Sequence, residues 1–284
     1  MGYQFKNVGV QLNQRAILQN IHCVLGEGKW ISVIGQTGAG KSTFIQALKG
    51  LVPLDYGEYF INGQPAPKDK HGKAKVVSHI GFVFQYPEHQ LFETTVYKEL
   101  SFELKQMNMS KKRIEMTIIH TLSQLGLSKE ILPLATFQLS GGQKRLVALA
   151  SVLVTNPKTF ILDEPTAGLD PYMRKHLLNY LKSWQQEDNR TVIIVSHQMD
   201  DVAEYSDEAL ILGDGKLIGH FETETLFLEK SLLLEKAGLI LPKTIQLLQI
   251  IRQLSGESVL VDGCKEADIF QATIPILHKR GLHQ

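Results

Sequence analysis

Trp30-Ile31-Ser32-Val33-Ile34-Gly35-Gln36-Thr37-Gly38-Ala39-Gly40-Lys41-Ser42-Thr43 runs from an apolar, β-branched stretch into a glycine loop. The first five residues have the character of a buried strand. Gly35 to Ser42 then fits the pattern G-x-x-x-x-G-K-[ST]. Small residues let successive backbone N–H groups curl around a phosphate. The helix expected from Thr43 to Lys49, with Gly50 as its C-cap, points its positive end at the same charge. Lys41 is placed to reach β- and γ-phosphate oxygens, and Ser42 to offer a hydroxyl to Mg²⁺. Gly35, Gln36, Thr37, Gly38, Ala39, Gly40, Lys41, Ser42 and Thr43 thus form the expected nucleoside triphosphate cradle.

Such a cradle needs an acidic partner at the end of a neighbouring strand. Thr159-Phe-Ile-Leu-Asp163 supplies it, with Asp163 expected to hold Mg²⁺ through water. Glu164 comes next, and strand alternation is expected to turn it away from Asp163, towards the attacking water. His197 follows the strand Thr191 to Val195, at the edge where open α/β sheets bind ligands. It is expected to contact the γ-phosphate and fix the water. Gln85 follows the apolar strand Ile80 to Phe84, and its amide is a candidate for the metal or the water.

These residues, together with Leu139-Ser140-Gly141-Gly142-Gln143 and Ala167-Gly168-Leu169-Asp170, resemble the ATP-binding-cassette ATPases over about residues 1–225. The resemblance implies an α/β fold. Its P-loop core carries an antiparallel β subdomain, a helical subdomain at about 90–155 and a small C-terminal extension over 226–284. It implies ATP and Mg²⁺ as cofactors, with Ser42, Gln85 and Asp163 at the metal. It also implies a head-to-tail dimer with two ATP molecules between subunits. Ser140, Gly141, Gly142 and Gln143 of one subunit would then contact the ATP on the partner's cradle, at a helix N-terminus. Asp170 would bridge the two sites, and Glu164 and His197 would be catalytic residues.

A closer resemblance lies in Phe84-Gln-Tyr-Pro-Glu-His-Gln-Leu-Phe92, followed by Thr95-Val96. It is similar to the ATPase subunits of energy-coupling factor transporters, in the form found in the second of their two ATPases. The resemblance implies a peripheral motor at the cytoplasmic face of the cell membrane, energising uptake of a vitamin or metal-type micronutrient. Its partners would be a second ATPase (paralogue or self), a transmembrane scaffold and a substrate-binding membrane subunit. Gln85 to Phe92 would border the groove for the scaffold's coupling helix. A soluble cassette ATPase and the motor of another transporter type are the competing readings. The interval from Gln85 to Leu139 is too short for the long coiled coil of DNA-repair versions, and translation versions usually carry two cassettes.

One position departs from the pattern. Aligning Val8-Gly-Val-Gln-Leu12 with the family's adenine-stacking motif puts Leu12 where an aromatic residue usually stands. Leucine keeps only the apolar part of a stacking contact worth roughly 1–3 kcal/mol. A modest ATP affinity and weak discrimination against GTP are the expectation, with the guanidinium of Arg15 as a substitute stacking plane.

The rest of the chain reads more plainly. Residues 1–34 read as short strands punctuated at Asn7, Gly9 and Asn13, and 51–78 as a hairpin region with turns at Asp55–Gly57 and Asn62–Gly63. Lys68 to Lys75 reads as a polar, solvated loop. Helices are expected over Lys98–Met107, Lys111–Leu125, Gln143–Leu153 and Tyr172–Glu187. Alternating strands and helices predict a largely parallel sheet. Ile245, Leu248, Ile251 and Leu254 form one helical stripe that either seals a subunit contact or covers its own domain.

Composition bounds the function. The 284 residues carry a formal net charge of +1, so no basic field is available for nucleic acid. Cys23 and Cys264 are too few for a disulfide framework, which points to inert thiols in a reducing compartment. The apolar run around Val147 to Val154 is well short of the roughly 20 residues that span a bilayer. Membrane work would need another subunit as anchor.

Overall fold

The computed structural model describes residues 2–70, 74–256 and 259–279. Part of the polar loop expected at 68–75 therefore lies outside the described residues.

A six-stranded sheet forms the centre, in the order β10 (Lys216–Glu222), β9 (Glu208–Gly213), β3 (Trp30–Ile34), β8 (Thr191–Val195), β7 (Thr159–Asp163), β6 (Ile80–Val83). All neighbours are parallel except β10, which returns antiparallel on β9. Every residue of β3, β6, β7 and β8 is buried. This is why these segments read as unbroken apolar runs: a parallel sheet covered on both faces leaves no side for water.

Register places the site. Val33 and Asp163 both pair with Val195, and Val83 pairs with Leu162. The carboxyl ends of four strands therefore finish level, delivering the glycine loop, Asp163-Glu164, Ser196-His197 and Gln85 to one edge. The first of these ends feeds α1 (Lys41–Lys49). That helix starts two residues earlier than the sequence suggests, so Lys41 and Ser42 belong to its first turn.

The second sheet is antiparallel, in the order β2 (Arg15–Gly26), β1 (Gly2–Leu12), β4 (Tyr56–Ile61), β5 (Gln64–Pro65). The short strands expected in residues 1–34 prove to be two long ones before β3. Asn7 and Asn20 adopt left-handed backbone (φ 52° each) at or beside register shifts inside the strands, so both mark bulges, and the break expected at Asn7 is one of them. Among the described residues, the only turn before residue 15 is Asn13-Gln14. Likewise Tyr56 and Gly57 lie in β4, so the turn expected at Asp55–Gly57 is absent.

Between β6 and β7, α2 (Val96–Gln106), α3 (Lys111–Gln124) and α4 (Gly141–Leu153) pack through Leu100, Leu104, Ile118, Leu122 and Leu146. α5 (Pro171–Glu187) and α6 (Met199–Tyr205) follow β7 and β8. The chain closes with α7 (Ser231–Lys236), α8 (Lys243–Ser255) and α9 (Glu266–Lys279). Their apolar core is continuous with Ile34, Met199, Val202 and Ile211. Ile245, Leu248 and Ile251 of the α8 stripe are buried within this chain, whereas Leu254 is 70% exposed. Three quarters of that stripe thus covers its own domain. Among the described residues no helix is long and apolar enough to cross a membrane. Cys23 and Cys264 are both buried, and burial pushes each thiol up to about 12, as expected of inert packing residues.

Candidate functional site

The glycine loop is shaped by what crowds it. A Cβ on Gly35 would lie 2.2 Å from the carbonyl oxygen of Leu212. Gly40 caps α1 in left-handed backbone, φ 95°, and a Cβ there would lie 2.9 Å from Leu18. Both positions need glycine on steric grounds alone. Lys41 is 6% exposed, and its ammonium donates to the carbonyl oxygens of Gly35 at 2.9 Å and Gln36 at 2.8 Å. Burial lowers its pKa, while Glu164 and Asp163 pull it back up. The amine is thus folded onto its own loop, beside two carboxylates.

Asp163 is 2% exposed at the end of β7. Burial raises its pKa, and a hydrogen bond from Ser42 opposes that rise. Its Oδ1 is buried and has no hydrogen-bond partner. A desolvated carboxylate with an orphan oxygen, next to a hydroxyl, is a donor set that fits a hard divalent cation completed by phosphate and water.

Glu164 departs from the expectation in how it is aimed. β7 ends at Asp163, so strand alternation does not orient Glu164. Its backbone turns left-handed instead, φ 48°, while its N–H still donates to the carbonyl oxygen of Val195 at 3.2 Å. A non-glycine residue in this region carries local strain, a feature that clusters at functional sites. The turn brings the carboxylate to His197, whose Nε2 lies 2.8 Å from Oε1 of Glu164. Glu164 and His197, expected from the sequence to act separately on the water and the γ-phosphate, are thus directly paired. Gln85 stands half-buried two residues beyond β6, whose last residue, Val83, pairs with Leu162.

Lys41, Ser42, Asp163, Glu164 and His197 are therefore together. The glycine loop lies with them through the Lys41 contacts, whereas Ser140, Gln143 and Asp170 make their hydrogen bonds at helix starts. Ser140 caps α4: its Oγ accepts from the Gln143 N–H at 3.2 Å, and Oε1 of Gln143 accepts from the Ser140 N–H at 3.0 Å. This reciprocal box fixes the helix start. A Cβ on Gly141 or Gly142 would meet nothing within 4 Å. Packing inside this chain does not require glycine there, and the first turn of α4 is open. Asp170 caps α5, with Oδ1 accepting from the Met173 N–H at 2.9 Å.

Sequence reasoning also missed charged residues that hold these loops. Arg145 of α4, 7% exposed, pairs with Glu88 at 3.3 Å, tying the helix behind Ser140 to the segment after Gln85. Glu99 of α2 is buried, and its Oε2 accepts from the N–H groups of Phe92 and Glu93 at 3.1 and 2.8 Å. Nothing local marks these partners, because Glu88 and Arg145 are 57 residues apart in sequence.

Comparison with known proteins agrees with this geometry. Residues 18–167 match the family model for the ABC transporter domain. The energy-coupling factor transporter ATP-binding protein EcfA2 of Staphylococcus epidermidis is 42% identical over 233 residues, 81% of each chain. CbiO1 of Clostridium perfringens, part of the ABC transporter complex CbiONQ, superposes with a TM-score of 0.72 at 31% identity, over 87% of this chain and 98% of that one. A dimeric ATP-binding cassette in a post-hydrolysis state, bound to ADP and Pi, superposes with a TM-score of 0.67 at 26% identity, over 78% and 98%. Glycine loop, acidic strand end and capped Ser140-Gly-Gly-Gln143 turn stand on one cassette fold, and the chain belongs to the ABC transporter family, among the energy-coupling factor transporter ATP-binding proteins.

Proposed function

We propose that this chain is the ATP-hydrolysing motor subunit of an energy-coupling factor transporter, working at the membrane through partner subunits. The observation that carries the reading is the division of the site. Cradle and carboxylates lie together, while the Ser140–Gln143 turn is open and its glycines are unneeded by the chain's own packing. A second cassette would complete each site head to tail.

Within one half-site, the Gly35–Thr43 amides and Lys41 bind the triphosphate. Ser42, Asp163 and Gln85 would hold Mg²⁺, which supplies neutralisation of phosphate charge when bound. Glu164 takes the proton of the attacking water, and His197, donating to Glu164, orients that carboxylate. Asp170 communicates with the other half-site. These roles are supported by the orphan oxygen of Asp163 and the 2.8 Å contact between Glu164 and His197.

The membrane side is supported by a groove beside the Gln85 segment. Phe84 and Phe92 are 41% and 65% exposed there, with Phe82, Phe102 and Met107 around them. An apolar hollow rimmed by Lys49, Glu103 and Lys158 suits an amphipathic helix of a membrane protein. The substrate belongs to another subunit, and a vitamin or metal-type micronutrient is the class proposed. Affinity purification of the tagged chain from membranes tests this. A polytopic membrane protein should copurify and ATP turnover should depend on it. A monomeric ATPase without a membrane partner contradicts it.

A further inference from the structure

Arg174 of α5 grips Asp201 of α6 with two prongs. Its Nε donates to Oδ2 at 2.9 Å, and its Nη2 lies 2.6 Å from Oδ1. Each residue stands one helical turn beyond a loop of the site: Arg174 four residues after Asp170, Asp201 four residues after His197. Arg174 also lines the pocket that contains Glu164, Gly168, Leu169 and His197. The side chains are 27% and 17% exposed, so the fork is largely withdrawn from water. Burial raises the pKa of Asp201, and Arg174 opposes that rise. Bidentate geometry fixes orientation as well as distance, which a lysine could not do.

Neighbouring residues of α6 are also held. Oδ1 of Asp200 accepts from the backbone N–H of Lys243, the first residue of α8, at 2.8 Å. A Glu204 oxygen accepts from the N–H of Glu266, the first residue of α9, at 3.2 Å. Thus α6 is pinned between α5 and the starts of two helices of the C-terminal extension. A cleft of about 400 Å³ lies at this junction.

We infer that the Arg174–Asp201 fork is a positioning device that makes the Asp170 loop and the His197 loop move as one unit. Through Asp200, the C-terminal extension sets its resting place. The inference rests on the proposed roles of Asp170 and His197. Without the fork each loop would sample its own positions, and His197 would meet Glu164 less often. Misplacement by about 1 Å can cost on the order of 100-fold in rate.

The test compares full-length Arg174→Met, Arg174→Lys, Asp200→Ala and His197→Ala with the parent, by hydrogen–deuterium exchange and by steady-state ATP turnover in the dimeric assembly. Arg174→Met should speed exchange in both 166–170 and 196–198. It should lower kcat roughly 10- to 100-fold with KM for ATP within about twofold. Arg174→Lys should recover only part of kcat, and the exchanged pair Arg174→Asp with Asp201→Arg should recover more than either single change. Asp200→Ala should speed exchange over 196–205 with a smaller loss of kcat. Parental turnover in His197→Ala would refute the proposed site itself. An inactive His197→Ala beside an Arg174→Met enzyme with kcat within about twofold of the parent would overturn the positioning role alone, whatever the change in thermal stability. Parental exchange and kcat in Asp200→Ala would remove the extension from the account.

Discussion

Nε2 of His197 lies 2.8 Å from Oε1 of Glu164, and a left-handed backbone at Glu164 is what brings them together. The carboxylate is thereby aimed by its own backbone. Glu164→Gln keeps a hydrogen-bond acceptor for His197 and loses the base. ATP binding should be retained, turnover should fall by about 10²–10⁴, and the closed dimer should accumulate. Parental hydrolysis in a phosphate-release assay would remove Glu164 from the mechanism.

The same backbone predicts a stability signature. Asn tolerates left-handed φ better than other non-glycine residues, and β-branched residues tolerate it worst. Without nucleotide, Glu164→Asn should be more stable than Glu164→Val by about 1–2 kcal/mol, while both are inactive. Denaturant unfolding measures the gap, and equal stabilities would mean that the strain is absent in solution.

Lys41 and Asp163 should separate binding from metal dependence. Lys41→Ala removes the buried ammonium beside Gly35 and should abolish ATP binding in calorimetry. Asp163→Asn removes a desolvated charge. It should raise the thermal midpoint of the nucleotide-free chain and erase the extra stabilisation that Mg²⁺ adds to ATP. Undiminished Mg²⁺ dependence would contradict the metal assignment.

Leu12 pairs with Arg15 across the Asn13-Gln14 turn and is 41% exposed. If it is the base platform, GTP should compete with ATP within about an order of magnitude. Leu12→Tyr should tighten ATP roughly 5- to 100-fold, the equivalent of one stacked base. A strongly adenine-selective parent in a competition assay would show that another group reads the base.

Glu99 gives a pH prediction. Burial raises its pKa above the ordinary 4.5, with the N–H groups of Glu93 and Phe92 opposing the rise. A raised carboxylate binds a proton more tightly in the folded chain. Its contribution to stability is therefore full below pH 4.5 and is lost as pH rises through its folded value. Glu99→Gln cannot ionise, so its thermal midpoint should gain on the parent as pH is raised from about 4 to 7. A difference that stays flat or shrinks over that range would contradict the shift.

Much of this site was legible because it is local. The glycine loop, Asp163-Glu164 and Ser140–Gln143 each carry their chemistry in a few adjacent residues, and buried parallel strands announce themselves as apolar runs. What was not legible depends on contacts between distant segments. Strand periodicity could not foresee that β7 stops at Asp163 and that Glu164 is aimed by its own backbone. Asn7 reads as a turn residue because bulges and turns use the same left-handed backbone. Arg145–Glu88 and Arg174–Asp201 exist only once helices are packed. Arg174 and Asp201 left a faint trace, as charged residues one turn beyond Asp170 and His197.

The central claim is that two incomplete half-sites meet across a dimer. It is tested most directly with a photoreactive γ-phosphate analogue of ATP and an assembly in which only this chain carries Lys41→Ala. That chain cannot hold nucleotide on its own cradle, so any label on it arrives from the partner's cradle. The account predicts label within Ser140–Gln143 of the Lys41→Ala chain, lost when the partner's cradle is also disabled. Label elsewhere in the chain, or label at Ser140–Gln143 that survives loss of the partner's cradle, would contradict it.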